Sequence, residues 1–414
     1  MRFKMFSCSL GLTALAALGV ATAYGAPASL TLESLKPDKV TLKSAGKLAF
    51  GPDGILFVAD AADAKIVALD TGDRTPRKTA PQLDVKGLNL KIAAMLATTP
   101  KQLVIDDVVV NPISKNIYIS ASPTRGPEAV PVILRMDSAG KLTEMSLENI
   151  HSSVTMLPDP IAFDSKEQRA EKAEATTEGI ALKTEKQGLY QKVNTMPPND
   201  RGGFRQFAIS DMAYANGKLY VAGLSNEEFS SVFHAIPFPF ESPVARDDDT
   251  GVIVYHDSEG RFITNAPVRA FAITTIAGQP TIFAGYTCSP IVEIPLSEIR
   301  PGNMLTKAKT ITQLGGGNTP LDMIVYKKGT QNFLLVAGTR SLFNGVQRIP
   351  LDGIEHANPI YSHNSEGFAG SSGVPWETIS ELQNVIQLAR YDENDIMIVR
   401  DVDGSLDLST VPLP

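Results

Sequence analysis

Six times along its 414 residues the chain returns to one pattern: an apolar strand, a turn rich in Gly, Asn, Asp or Pro, and a second strand ending in small residues. The copies read KLAFGPDGILFVAD from Lys47, DVVVNPISKNIYISAS from Asp107, DMAYANGKLYVAGL from Asp211, AFAITTIAGQPTIFAGY from Ala270, DMIVYKKGTQNFLLVAGT from Asp322 and VIQLARYDENDIMIVRD from Val385. Their starts lie roughly 60, 104, 59, 52 and 63 residues apart, and self-similarity near a fixed period signals a repeat fold. Runs of Val, Ile, Leu, Tyr and Phe bounded by Asn-Gly or Asp-Gly turns are hairpin strands. A third strand and another tight turn follow in KIVALDTGD from Lys65, VILRMDSAGKLTEM from Val132 and VIVYHDSEGRFI from Val252. Four short antiparallel strands per roughly 55 residues make a propeller blade. The expected fold is therefore all-β, a single β-propeller of six or seven blades over residues 26–414.

The spacing also predicts irregularities. The 104-residue interval either hides a seventh blade or carries an insertion, placed at about 148–205. Within it Asp164 can cap a helix, with Glu167 three residues later and Gly179 as its stop. That helix would lack an apolar stripe and would stay solvated. LNLKIAAMLA from Leu88 fits a short helix or a buried strand equally well. A long inter-strand loop is expected at about 225–251, with Phe229, Phe233, His234, Phe238 and Phe240, and it would lie over the central funnel or cover a blade edge. The last strands are expected to close the ring against residues 40–42, since an open ring leaves sheet edges exposed.

Arg2 and Lys4 precede an apolar run at 10–20 and the small residues Ala21, Ala23, Gly25 and Ala26, which is the pattern of a cleaved export signal at 1–25. No stretch reaches the ~18 apolar residues of a membrane span, so the expectation is a periplasmic or secreted protein without membrane insertion. Cys8 leaves with the signal, and Cys288 alone cannot form an internal disulfide. Losing Arg2 and Lys4 reduces 38 basic residues to 36 against 45 acidic ones, a net charge of −9. Nucleic acid is thereby excluded as a partner, because its counterions must be displaced by clustered positive charge.

LAFGPDGILFVADAADAKIVALD, from Leu48, resembles the blades of exported propellers of the NHL, YVTN and SMP-30/gluconolactonase type. The resemblance implies a propeller and, in its lactonase branch, a metal-dependent hydrolase. There a Glu of the first blade binds the metal with Asn and Asp from later blades. In this chain the first blade reads Ser44-Ala45-Gly46-Lys47-Leu48-Ala49-Phe50 and offers no Glu, which leaves Asp211, Asn318 and Asp322 as matching positions.

In a propeller the starts of the innermost strands and the loops after the second strands share one face, which collects the candidate site. Asp107, Asp211 and Asp322 begin three inner strands at the same place, and Asn318 lies just before the last of them. Converging carboxylates need a compensating cation, for which Ca²⁺ or another divalent ion suits oxygen ligands, or else hydrogen-bond donors. The second-strand loops supply Arg125, Arg340 and Arg400, able either to grip a carboxylate or phosphate or to pair with neighbouring acids. They also supply Asn226, Glu227, Glu228, Tyr286, Cys288 and Asn344. Tyr286, His234 and the three arginines form the expected ligand set. Asp107, Asp211, Asn318 and Asp322 form the expected metal set. The five histidines show no metal-ligand spacing. There is no nucleophile elbow, Walker loop or dinucleotide fingerprint, and GGGN from Gly315 opens no helix. The sequence thus supports an exported propeller binding a small molecule, ion or protein partner in its funnel. A metal-dependent lactonase-like hydrolase and a structural interaction module are the alternatives, and enzymatic status stays undecided.

Overall fold

The computed structural model describes residues 32–77, 81–125, 129–162, 203–226, 229–241, 243–245, 248–256, 260–287, 290–315, 318–339, 345–362 and 371–414. The expected signal, the expected helix from Asp164, Arg340, Asn344, Glu227, Glu228 and Cys288 lie outside them. The described strands form six antiparallel sheets, the blades of a β-propeller. Blades are numbered by the chain order of their innermost strands, Leu48–Phe50, Val104–Val110, Asp211–Ala215, Val268–Ile276, Pro320–Lys328 and Val385–Arg390.

Each repeat folds as its pattern dictates. Second strands such as Ile55–Asp60 and Ile117–Ser122 are buried along their whole length, covered on both faces by neighbouring blades, which explains their near-continuous apolar runs. The hairpin turns take left-handed backbone where the sequence supplies it, with φ of 50° and 77° at Asn216 and Gly217 and 49° and 90° at Asp403 and Gly404. Two successive positive φ values give the turn whose twist matches the strands it joins.

The apolar clusters between blades reveal the order around the ring. Leu56 and Val67 of blade 1 pack with Tyr118 and Ile133 of blade 2. On its other side, blade 1 packs Phe57 and Ile66 against Met212 and Ile236 of blade 3. Blades 3 and 4 meet at Phe233 and Phe271, blades 4 and 5 at Phe283 and Met323, and blades 5 and 6 at Leu335 and Ile398. Met397 and Leu408 of blade 6 then meet Val108 and Ile119 of blade 2. The spatial order is 2-1-3-4-5-6, so chain order and ring order differ.

The path of residues 71–156 produces this. After Lys65–Asp70 the chain lays Asp84–Val85 on Ser405–Pro412 of blade 6 and turns through the helix Leu88–Met95. It then builds blade 2 and returns to blade 1 as that blade's fourth strand, Ile150–Met156. Ring closure is therefore internal, which corrects the closure expected at 40–42. Leu83 N donates to Thr410 Oγ1 at 2.8 Å, Gly87 N to Asp407 Oδ1 at 3.0 Å and Leu406 N to Asn89 Oδ1 at 3.0 Å. Val40 instead donates to Leu147 O beside blade 1.

Two boundaries also change. The insertion expected from about 148 begins with a paired strand, Ile150–Met156. The loop expected at 225–251 is interrupted by Ser231–Pro237, the third strand of blade 3, which pairs with Lys218–Leu224 over its whole length. Its prolines mark only the strand's end and the connection beyond. Asp249–His256, expected as a third strand, is accordingly the fourth.

Candidate functional site at the mouth of the axis

All six innermost strands begin at one end of the axis, the mouth, where the second strands also end. In blades 2, 4, 5 and 6 the register slips as the innermost strand enters, between Ile105 and Asp107, Val268 and Ala270, Pro320 and Asp322, and Val385 and Gln387. A bulge of this kind re-aims the residue that follows it. Lys47 and Asp211 hold the equivalent level in blades 1 and 3. In ring order the level reads Asp107, Lys47, Asp211, Ala270, Asp322, Gln387, with an aspartate on every second blade.

Each aspartate fastens a neighbour in the same rotational sense. Asp107 accepts Leu48 N of blade 1 at 3.0 Å, Asp211 accepts Phe271 N of blade 4 at 2.8 Å, and Asp322 accepts Leu388 N of blade 6 at 2.9 Å. The second oxygens of Asp211 and Asp322 accept Met212 N at 3.0 Å and Met323 N at 2.9 Å. Lys47 Nζ lies 3.6 Å from Asp211 Oδ1 across the seam between blades 1 and 3. Gln387 Nε2 donates to Val108 O at 3.4 Å between blades 6 and 2. Charge-assisted bonds to backbone N–H groups are a strong class, and here they join inner strands that no sheet ladder connects.

These bonds decide how well the expected cation fits. The oxygens of Asp211 and Asp322 meet N–H donors inside seams, and a cation would have to compete with those donors. Asn318 is buried, with Nδ2 donating to Leu314 O at 3.4 Å. Its Oδ1 occupies the space above Gly338, where an added Cβ would stand only 2.3 Å away. Among the described residues no group of three His, Cys, Asp or Glu is placed to hold a metal ion. The donor set thus suits fastening better than coordination.

The other expected residues divide. Arg400 lies at the mouth, where Nε donates to Gln383 O at 3.2 Å and Nη2 to Glu381 O at 2.9 Å, and burial lowers its pKa. Arg125 follows the second strand of blade 2 at the same end, half-buried. Tyr286 is sealed in the core between blades 3 and 4 beside Ser231, and burial raises its hydroxyl pKa. His234 is buried in the middle of Ser231–Pro237, and burial pushes its imidazole down to about 4 while Asp248 opposes the shift.

Two mouth arginines escaped the sequence reading. Arg205 lies in the short 3-10 helix Gly203–Ala208, donating from Nε to Ala61 O and from Nη1 to Ile161 O, both at 3.0 Å. Arg269 is the bulged residue of blade 4, buried, with its guanidinium carbon 5.4 Å from the Phe207 ring centre and its pKa lowered by burial to about 10. Aligning the repeats at their strand starts puts Arg269 level with Asp106, Leu321 and Ile386, a signal available before any coordinates. Lys47 and four arginines thus stand at the mouth, while the acids of the same level are engaged by backbone donors. Such an end can attract a small anion.

At the opposite end of the blades, aromatic rings cluster in one seam. Phe238 approaches Phe57 at 4.9 Å and Phe240 at 5.1 Å between ring centres, and Tyr214 stacks on Phe57 at 5.9 Å. Of the phenylalanines expected over the funnel or a blade edge, Phe238 and Phe240 seal the far end of the seam between blades 1 and 3, Phe233 meets Phe271 at 5.2 Å between blades 3 and 4, and Phe229 lies against Gly251.

No protein-family model and no curated protein matches this chain. Solved structures do resemble it. The PQQ-bound aldose sugar dehydrogenase of Streptomyces coelicolor is 15% identical with a TM-score of 0.34, over 91% of this chain and 97% of that one. The apo soluble aldose sugar dehydrogenase of Escherichia coli gives 12% and 0.33, over 92% and 99%. A streptogramin B lyase gives 9% and 0.29, over 92% and 97%. The propeller assignment stands on this chain's own sheets, and no chemistry passes to it from those proteins.

Proposed function

We propose that this protein is an exported binding propeller that takes a small anionic ligand, a carboxylate or a phosphate, at its mouth. The observation that carries the reading is the gathering of positive groups at one end of the axis: Lys47, Arg125, Arg205, Arg269 and Arg400 stand at the mouth, where the aspartates of the axial level are engaged by backbone N–H donors. A guanidinium offers five donors in a planar fork, and the two backbone carbonyls bound by Arg400 leave donors over. The charged start and apolar run at 1–20 support export, and the blade wording from Leu48 supports kinship with NHL, YVTN and SMP-30 propellers. No helix among the described residues is long and apolar enough to cross a membrane.

Thermal unfolding with citrate, phosphate and sulfate at fixed ionic strength tests the proposal. A ligand that binds the folded chain raises Tm saturably. Arg125→Gln combined with Arg400→Gln should weaken that response about tenfold or more, since each lost charge-assisted bond is worth that much. If no anion raises Tm, or the double variant responds like the parent, the reading fails. A rise with Ca²⁺ that Asp211→Asn removes would favour the metal-dependent hydrolase instead.

A further inference from the structure

On the outer edge of blades 3 and 4, away from the axis, two aromatic rings flank one ammonium and a third ring packs against both of them. Lys307 Nζ lies 4.1 Å from the ring centre of Phe262 and 4.1 Å from that of Tyr361. Tyr255 completes the group, 5.2 Å from Phe262 and 6.4 Å from Tyr361, while Phe262 and Tyr361 are 5.4 Å apart. Phe262 and Tyr361 are each 37% exposed, so these two rings open to solvent, while Tyr255 is buried.

The backbone holds these rings in place independently of the lysine. Tyr255 and Phe262 are direct cross-strand partners of Asp249–His256 and Arg261–Ile263. Lys307 is paired to Ile253 through the parallel strand Leu305–Lys307. Thr310 Oγ1 donates to Tyr255 O at 3.2 Å, and Ile360 N donates to Thr310 O at 2.9 Å, which anchors Tyr361 beside them. Three chain segments are thus fastened so that their rings converge, and the group is preorganised.

We infer that Tyr255, Phe262 and Tyr361 form a recognition cage for a quaternary ammonium group, with Lys307 as an internal occupant that such a ligand displaces. Ring faces attract any cation, but they offer no hydrogen-bond acceptor for the three N–H donors of a lysine. Those donors stay with water, and the compact, strongly hydrated ammonium gains little from the box. A group whose charge is spread over methyls has no donors to satisfy and lays apolar surface on the rings. The occupant tethered in cis is therefore a weak competitor, one that lowers apparent affinity by roughly two- to fivefold. The inference does not depend on the anionic ligand proposed for the mouth.

Titration of the full chain with choline and with a short peptide carrying trimethyllysine, followed by NMR, tests the cage. Lys307→Ala should bind choline saturably and roughly two- to fivefold more tightly than the parent. Phe262→Leu and Tyr361→Leu should lose that binding, with far-UV circular dichroism confirming that both remain folded. Tighter binding of the peptide than of choline would identify a methylated polypeptide as the source of the group, and equal binding would identify a free solute. No saturable binding to Lys307→Ala overturns the inference, as does retained binding in both ring variants or equal binding of an unmethylated peptide.

Discussion

The seam between blades 4 and 5 and the seam between blades 1 and 3 solve one packing problem in opposite ways. The first is dry at the axis. Ala270 holds the axial level there, and Gly285 lets the ring of Pro320 and the tip of Met323 come so near that an added Cβ would stand 2.7 Å from Pro320 and 2.8 Å from Met323. The second contains the Lys47–Asp211 pair, buried His234 and the Arg205 bonds to Ala61 O and Ile161 O. Close approach needs only a missing side chain, whereas fastening by polar groups makes a seam responsive to pH.

The largest effect should come from filling the dry seam. Gly285→Val leaves no room for its Cβ against the ring of Pro320 and the tip of Met323, and overpacking should cost about 3 kcal/mol. Urea unfolding measures this, and a loss below about 1 kcal/mol would show that the seam yields more easily than its contacts imply.

Acid should strain the other seam. Burial pushes the imidazole of His234 down to about 4 from the ordinary 6.5, so its contribution is complete above about pH 6.5 and is lost as pH falls toward 4. A depression of this size amounts to about 3 kcal/mol. His234→Leu should flatten that part of the stability curve, measured as the difference from the parent between pH 7 and pH 4.5. Amide exchange should quicken around Val221 and His234 on acidification more than around Gly285, and uniform quickening would erase the contrast between the seams.

The aspartate fastenings come next. Asp322→Ala strands the N–H groups of Leu388 and Met323 and should cost about 2 kcal/mol. Asp322→Asn keeps an acceptor and should cost about half that. Equal losses in the two variants would point to charge, not acceptance, as what the position supplies. The smallest effect belongs to the rim: exposed Lys86 pairs with exposed Asp84 and with half-buried Asp407, and Lys86→Ala should leave the unfolding midpoint within experimental scatter.

The six hairpins were legible because alternating strands and Asn-Gly or Asp-Gly turns are local signals. Ring order was not, since nothing inside a blade records which blade stands beside it. In chain order the axial level reads Lys47, Asp107, Asp211, Ala270, Asp322, Gln387 and looks irregular. Its alternation appears only once blade 2 is moved to the far side of blade 1. Three of its residues accept the backbone N–H bonds that the sequence offered as the alternative to a shared cation. Ser231–Pro237 was missed for a different reason, because its neighbourhood holds Pro237, Pro239 and Pro243 and reads as a loop although its residues alternate between two seams. Arg269 was overlooked because a bulge displaces it from the strand pattern that revealed its neighbours.

The detour of residues 71–156 also sets a timetable. As the chain is made, blade 1 has three strands and must wait for Ile150–Met156, which follows only after all of blade 2. The strand Asp84–Val85 waits longer still, for a partner in the last turn of the ring. Leu83 and Thr410, bonded at 2.8 Å, are 327 positions apart. Closing so long a loop costs entropy before any contact repays it, and contacts of this range make folding slow. The edge of Asp84–Val85 is thus exposed for nearly the whole of synthesis, and the final blade completes the circle by finding one of the earliest pieces made.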